Sequence, residues 1–151
     1  MLDKEIFKKT EGQLYGYFRD LKEIELLEID CRDLQEQEKN IEWSMESMIE
    51  NEDEKEIKQL KDELKFVNKK LCKNMARIRQ LKRNIAILKK VLTVPPLSKE
   101  IMEFITYKYK LNKSVGWIAN EMYGGVRSTA YRWREDIVKD IVKWKRVYGD
   151  S

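Results

Sequence analysis

The sequence predicts an all-α chain: a long antiparallel helical hairpin of coiled-coil type, followed by a small C-terminal helix-turn-helix domain. Composition is the first reason. Of 151 residues, 38% are charged, while only two are proline and six glycine, which favours long solvated helices over sheet. Periodicity is the second, because apolar residues recur at steps of three and four through residue 92. Punctuation is the third. Pro95-Pro96 ends the long repeat, and Gly124-Gly125 divides two shorter apolar-faced segments beyond it.

In chain order, Thr10-Glu11-Gly12-Gln13 reads as a capping box, a hydroxyl three residues before a side-chain amide. Ile24, Leu27, Cys31, Leu34, Ile41, Met45 and Met48 then give an amphipathic helix, with Glu38 filling one core slot. Tyr15, Tyr17 and Phe18 stand at its head and are expected to pack in the core. Glu50-Asn51-Glu52-Asp53-Glu54 offers no apolar face and reads as the hairpin loop; a continuous helix frayed there is the competing reading, since neither Gly nor Pro occurs in it.

The second long segment is the most regular. Ile57, Leu64, Leu71, Ile78, Ile85 and Leu92 fall every seventh residue, and Leu60, Val67, Asn74, Leu81 and Leu88 fall three later, the a and d positions of a heptad. Asn74 is the polar exception, where a buried amide would fix register or oligomeric state or leave a local solvated gap. A first helix beginning its core at Ile24 would reach only to about Ile78 on the fold-back. Leu81, Ile85, Leu88 and Leu92 would then need another cover, either the C-terminal domain or a second subunit, and a homodimer through the 57–92 helix is the expectation.

Proline cannot donate to the helix ladder and restricts the residue before it, so residues 1–94 and 95–151 are expected to be separate domains. Ser98 caps a helix with Ile101, Phe104, Ile105 and Tyr109 on its core face, ending near Leu111-Asn112. Ser114 caps the next, with Val115, Trp117, Ile118 and Met122 apolar. Ala130, Trp133, Ile137 and Ile141 mark the last helix, and Gly149 is placed to end it.

Whole classes of chemistry drop out. The chain has no histidine, which removes imidazole bases, His-dependent nucleophile pairs and imidazole metal ligands. Cys31 and Cys72 form no CxxC pair, so they read as free, partly buried thiols of a cytoplasmic protein. No cofactor, no metal and no enzyme activity is expected. No apolar run approaches the roughly 18 residues of a membrane span. The formal net charge of +4 hides opposite halves: residues 1–60 hold 9 Lys+Arg against 18 Asp+Glu, and residues 61–151 hold 22 against 9. A basic C-terminal portion suits phosphate contact, although complementary helix faces within one bundle also produce such asymmetry.

The stretch IANEMYGGVRSTAYRWR, residues 118–134, carries the functional reading. Ala119 is small enough for a close helix crossing, the glycines permit a sharp turn, and an arginine-rich helix starting near Arg127 follows. Such a helix would lie in the major groove of double-stranded DNA. Arg127, Ser128, Thr129, Tyr131 and Arg132 are its candidate base- and backbone-reading residues, and Lys113, Lys143, Lys145 and Arg146 its candidate phosphate contacts. Trp117 and Trp133 read as core rather than as base-stacking surfaces.

IANEM before the turn, RSTAYRWRE after it and YKYKLNKSVGW ahead of both resemble region 4 of bacterial sigma factors. More closely, they resemble Gram-positive phage transcription regulators of the RinA and ArpU type, whose helix-turn-helix ends the chain. The resemblance covers about residues 97–140 and is only architectural before that. It departs from the family in the turn: eleven residues separate Ala119 from Ala130 where ten are usual, and Val126 stands in place of a capping serine. The resemblance implies a sequence-specific transcription regulator of phage or prophage origin, acting in the cytoplasm of a bacterial host, with the hairpin serving self-association or contact with RNA polymerase. The alternative is a phage terminase small subunit, which also joins a helix-turn-helix to an oligomerising hairpin. There the DNA-binding unit usually comes first, whereas here it comes last.

Overall fold

The computed structural model describes residues 2–48, 54–95 and 97–149. Among them the regular structure is entirely helical: α1 (Lys4–Ser47), α2 (Glu54–Thr93), α3 (Lys99–Ile105), α4 (Val115–Met122) and α5 (Arg127–Val147). A π-helical stretch, Thr106–Lys110, continues α3 without a break. No helix among the described residues is long and apolar enough to cross a membrane. The expected hairpin loop lies outside the described residues except for Glu54, which opens α2.

The long helices pair through the predicted seam. Ile24, Cys31 and Leu34 of α1 are buried, as are Val67, Ile78, Leu81, Ile85, Leu88 and Leu92 of α2. Toward the Met48 and Ile57 ends the seam residues are only half-buried, so the packing is tightest away from the loop. Asn74 donates from Nδ2 to the Asp30 carboxylate across the seam at 2.7 Å, a polar rung that ties the two helices in one register.

The start of α1 departs from expectation. Thr10 caps nothing: its hydroxyl donates to the Ile6 carbonyl at 2.8 Å inside a helix already running from Lys4. A Ser or Thr hydroxyl can satisfy itself against the preceding turn, so the capping pattern alone does not locate a terminus. The extra turns change the packing. Leu81, Ile85, Leu88 and Leu92 are 1%, 4%, 7% and 7% exposed within the single chain, so the apolar strip that called for a second subunit is already covered.

By internal contacts, one compact unit comprises Met1–Leu21 with Asn84–Ser151, and the other comprises Lys22–Arg83. The expected boundary at 94/95 is not where this division falls. Leu14 and Tyr17 at the start of α1, Val91 and Leu92 at the end of α2, and Phe104, Ile105, Ile118, Ile137 and Ile141 all lose their water within the first unit. Pro95 still ends α2 and is itself buried.

The capping serines behave as their sequence context requires. Ser98 Oγ accepts from Ile101 N at 3.2 Å, and Ser114 Oγ accepts from Trp117 N at 3.0 Å. Between α3 and α4 the chain reverses at Asn112, φ 55°, a conformation that asparagine tolerates better than most residues. At the end of α5, Gly149 adopts φ 100° and stops the helix.

Candidate nucleic-acid interface

Helices α4 and α5 meet at their smallest residues. Ala119 and Ala130 are both 0% exposed and cluster with Val115, while Tyr123 packs against them. Methyl side chains are all that a close crossing admits, so bulk at either position would force the helices apart. The turn between them, Tyr123–Val126, holds Gly124 at φ 59° and Gly125 at φ 85°. Tyr123 N and Gly125 N both donate to the Ala119 carbonyl, at 2.9 and 2.8 Å, so a single acceptor anchors the turn. A side chain at either glycine would have to adopt a left-handed conformation that only glycine takes at little cost.

Helix α5 is buried on one side and open on the other. Ala130, Ile137, Val138, Ile141, Val142 and Lys145 face inward. Arg127, Ser128, Tyr131 and Arg132 are exposed over its first turns, with Tyr131 at 52%, and Thr129 is half-buried. Arg127 lies back along α4: a Cβ at Gly116 would stand 3.4 Å from its Nη2. Val126 supplies no side-chain cap, which leaves the first amides of α5 without a side-chain acceptor. Glu135, Asp136 and Asp140 are exposed farther along, so past the first two turns the exposed cations Lys139, Lys143 and Arg146 share the open face with acids.

What fixes α5 is a contact that sequence reading missed. Arg134 donates from Nε and Nη2 to the two carboxylate oxygens of Glu11, at 2.9 and 2.5 Å, and the Tyr109 hydroxyl donates to Glu11 at 2.7 Å. The Arg134 guanidinium also lies 5.0 Å from the Phe7 ring centre. Tyr15 packs edge-on against Tyr109 at 5.0 Å and accepts from Lys108 Nζ at 2.7 Å. Burial pushes the Glu11 carboxyl up, but the bonds from Arg134 and Tyr109 outweigh it and leave the group below its ordinary value. Burial and the Glu11 carboxylate together push the Tyr109 phenol well up. The Arg134 guanidinium is raised, chiefly by its bond to Glu11. Arg134 is thus structural, unlike its neighbours Arg127 and Arg132. No local signal marked Glu11, which stands in the polar run Thr10-Glu11-Gly12-Gln13 that reads as a capping box.

The expected phosphate contacts divide. Lys143 and Arg146 are exposed, and Lys113 is half-buried with its ammonium 4.8 Å from the Trp117 ring centre. Lys145 is only 7% exposed, and its ammonium donates to the Gln13 side chain. It follows the buried Ile141 by one helical turn, so it falls on the inward face of α5 and cannot reach a phosphate. Helix phase, not charge, decides its role and corrects the expected DNA contact. Trp117 and Trp133 are half-buried against tyrosines, Trp117 edge-on to Tyr107 at 5.0 Å and Trp133 stacked on Tyr123 at 6.2 Å. Neither is a free stacking surface.

Compared with protein-family models, curated proteins and solved structures, the chain matches none.

Proposed function

We propose that the chain is a sequence-specific double-stranded DNA-binding regulator of transcription, acting in the cytoplasm of a bacterial host. The carrying observation is the first two turns of α5, where Arg127, Ser128, Tyr131 and Arg132 stand exposed on a helix whose opposite face is sealed by the Ala119–Ala130 crossing. In this reading α4 and α5 form a helix-turn-helix, and α5 enters the major groove N-terminus first. Arginine is the side chain best suited to the paired acceptors of guanine, and the uncapped start of α5 favours a nearby phosphate. Lys113, Lys143 and Arg146 serve the backbone, which sets affinity and register without reading sequence. Glu11 supports the reading indirectly, because an arginine locked from behind holds the reading face at one rotation.

Selection of binding sites from a random duplex pool, followed by anisotropy titration of the enriched site against scrambled DNA, tests this. Enrichment of one motif with weaker binding by Arg132→Ala is the expected result; absence of any enriched motif overturns it. Contact between the hairpin and RNA polymerase belongs to the same proposal. A terminase small subunit is the alternative, and its mark would be an enriched site at a packaging start rather than at a promoter.

A further inference from the structure

The unit formed by residues 22–83 carries an unused, self-complementary flank. Glu23, Leu26, Asp30 and Asp33 follow one another along α1 at steps of three, four and three, and Phe66, Lys70, Lys73 and Arg77 follow along α2 at steps of four, three and four. Each set is therefore one stripe of its helix. The stripes border the same side of the seam, because Arg77 pairs with Glu23 at 3.1 Å and Asn74 reaches Asp30.

Two observations show that this flank is unfinished. Leu26 is 57% exposed and Phe66 69%, and beside Phe66 a groove of about 440 Å³ is lined by Gln37, Ile41, Glu63 and Val67. Charge is also left over. Residues 22–48 hold nine acids and three bases, while residues 54–83 hold eleven bases and four acids. Arg77–Glu23 and Lys82–Glu28 bridge the helices, but Asp33, Lys70 and Lys73 are exposed and form no ion pair among the described residues.

We propose that a second copy of this chain docks on this flank, about a two-fold axis running along the hairpin. That operation lays the acidic α1 stripe of one copy over the basic α2 stripe of its partner, and the same contact forms twice. Asp33 then meets Lys70 and Lys73 of the other copy, and Leu26 and Phe66 leave water together. A partner of a single charge sign, nucleic acid included, would meet like charge over half of the same surface. The interface is distinct from the apolar seam, which each chain closes by itself.

Sedimentation equilibrium of the full chain from micromolar concentration upward tests the proposal. The mass should rise from 18.2 kDa toward twice that value with concentration, and added salt should weaken the association. Phe66→Ser and Lys73→Glu should each weaken it by about tenfold or more with unchanged helicity by circular dichroism, since both side chains are exposed. Adding Asp33→Lys to Lys73→Glu should restore it. A mass that stays at 18.2 kDa at every concentration overturns the proposal, and so does a dimer indifferent both to salt and to the charge reversal.

Discussion

Arg134 of α5 grips both carboxylate oxygens of Glu11 of α1, at 2.5 and 2.9 Å, across 123 residues of sequence. The Glu11 side chain is 11% exposed and that of Arg134 28%, so removing either partner strands a charge that water reaches poorly. Glu11→Gln is expected to lower unfolding free energy by about 3 kcal/mol, and Glu11→Leu with Arg134→Met to recover much of that loss, since the pair's desolvation cost disappears with it. Urea melts of the three proteins check both statements.

The same pair sets a pH dependence. The folded Glu11 carboxyl lies below its ordinary value of 4.5, so the folded chain releases this proton more readily than the unfolded chain. The resulting stability is complete above about pH 4.5 and is lost as pH falls through the lower folded value. Comparison of thermal melts from neutral pH downward should show an acid loss in the native chain that Glu11→Gln lacks.

Tyr123 presents the opposite situation. Its hydroxyl is buried without a hydrogen-bond partner among the described residues, and its pKa is pushed up to about 12 by burial and then by Glu100 and Glu103. Tyr123→Phe keeps the stack on Trp133 and removes the unsatisfied group, so it should stabilise the chain by about 1 kcal/mol. In the native chain stability should fall as pH rises from 10 toward 12, because only the folded state holds the phenol proton there. Ultraviolet titration of the tyrosines, read beside denaturant melts of the variant, measures both effects.

The proposed DNA binding separates residues that look alike in sequence. Arg132→Ala should cost roughly 1 to 3 kcal/mol on a selected site and relax its sequence preference. Lys143→Ala with Arg146→Ala should weaken specific and random duplex alike and flatten the salt dependence. Lys145→Met should leave that salt slope unchanged, because its ammonium is bonded to Gln13 inside the chain. Anisotropy titrations over a salt series distinguish the three outcomes.

A fragment of residues 97–151 lacks Glu11, Leu14 and Tyr17, which lose their water within the same compact unit as α3 to α5. It is expected to show weak helicity and no cooperative melt, whereas a chain cut in the 49–53 segment should keep both parts associated. Circular dichroism of the fragment checks the first expectation, and gel filtration of the nicked chain the second.

Local chemistry explains why much of this was legible. The heptad of α2, the stops at Pro95 and Gly149, the caps at Ser98 and Ser114, and the Ala119–Gly124–Ala130 turn each rest on a few neighbouring residues, whose steric and hydrogen-bonding demands hold in almost any context. The exposed first turns of α5 followed in the same way from where its apolar residues fall. Where α1 begins, and what it then covers, did not follow. Thr10 satisfies the capping pattern equally well from inside a helix; α1 starts at Lys4, where Asp3 Oδ1 accepts from Glu5 N at 2.7 Å, and Leu14 and Tyr17 are buried in the same unit as α3 to α5. Lys145 was expected to touch phosphate and Arg134 was assigned no role, and both readings fell short for the same reason: a cation's role depends on whether a partner waits opposite it, and Glu11 and Gln13 lie more than a hundred residues away in sequence, where spacing rules carry no information.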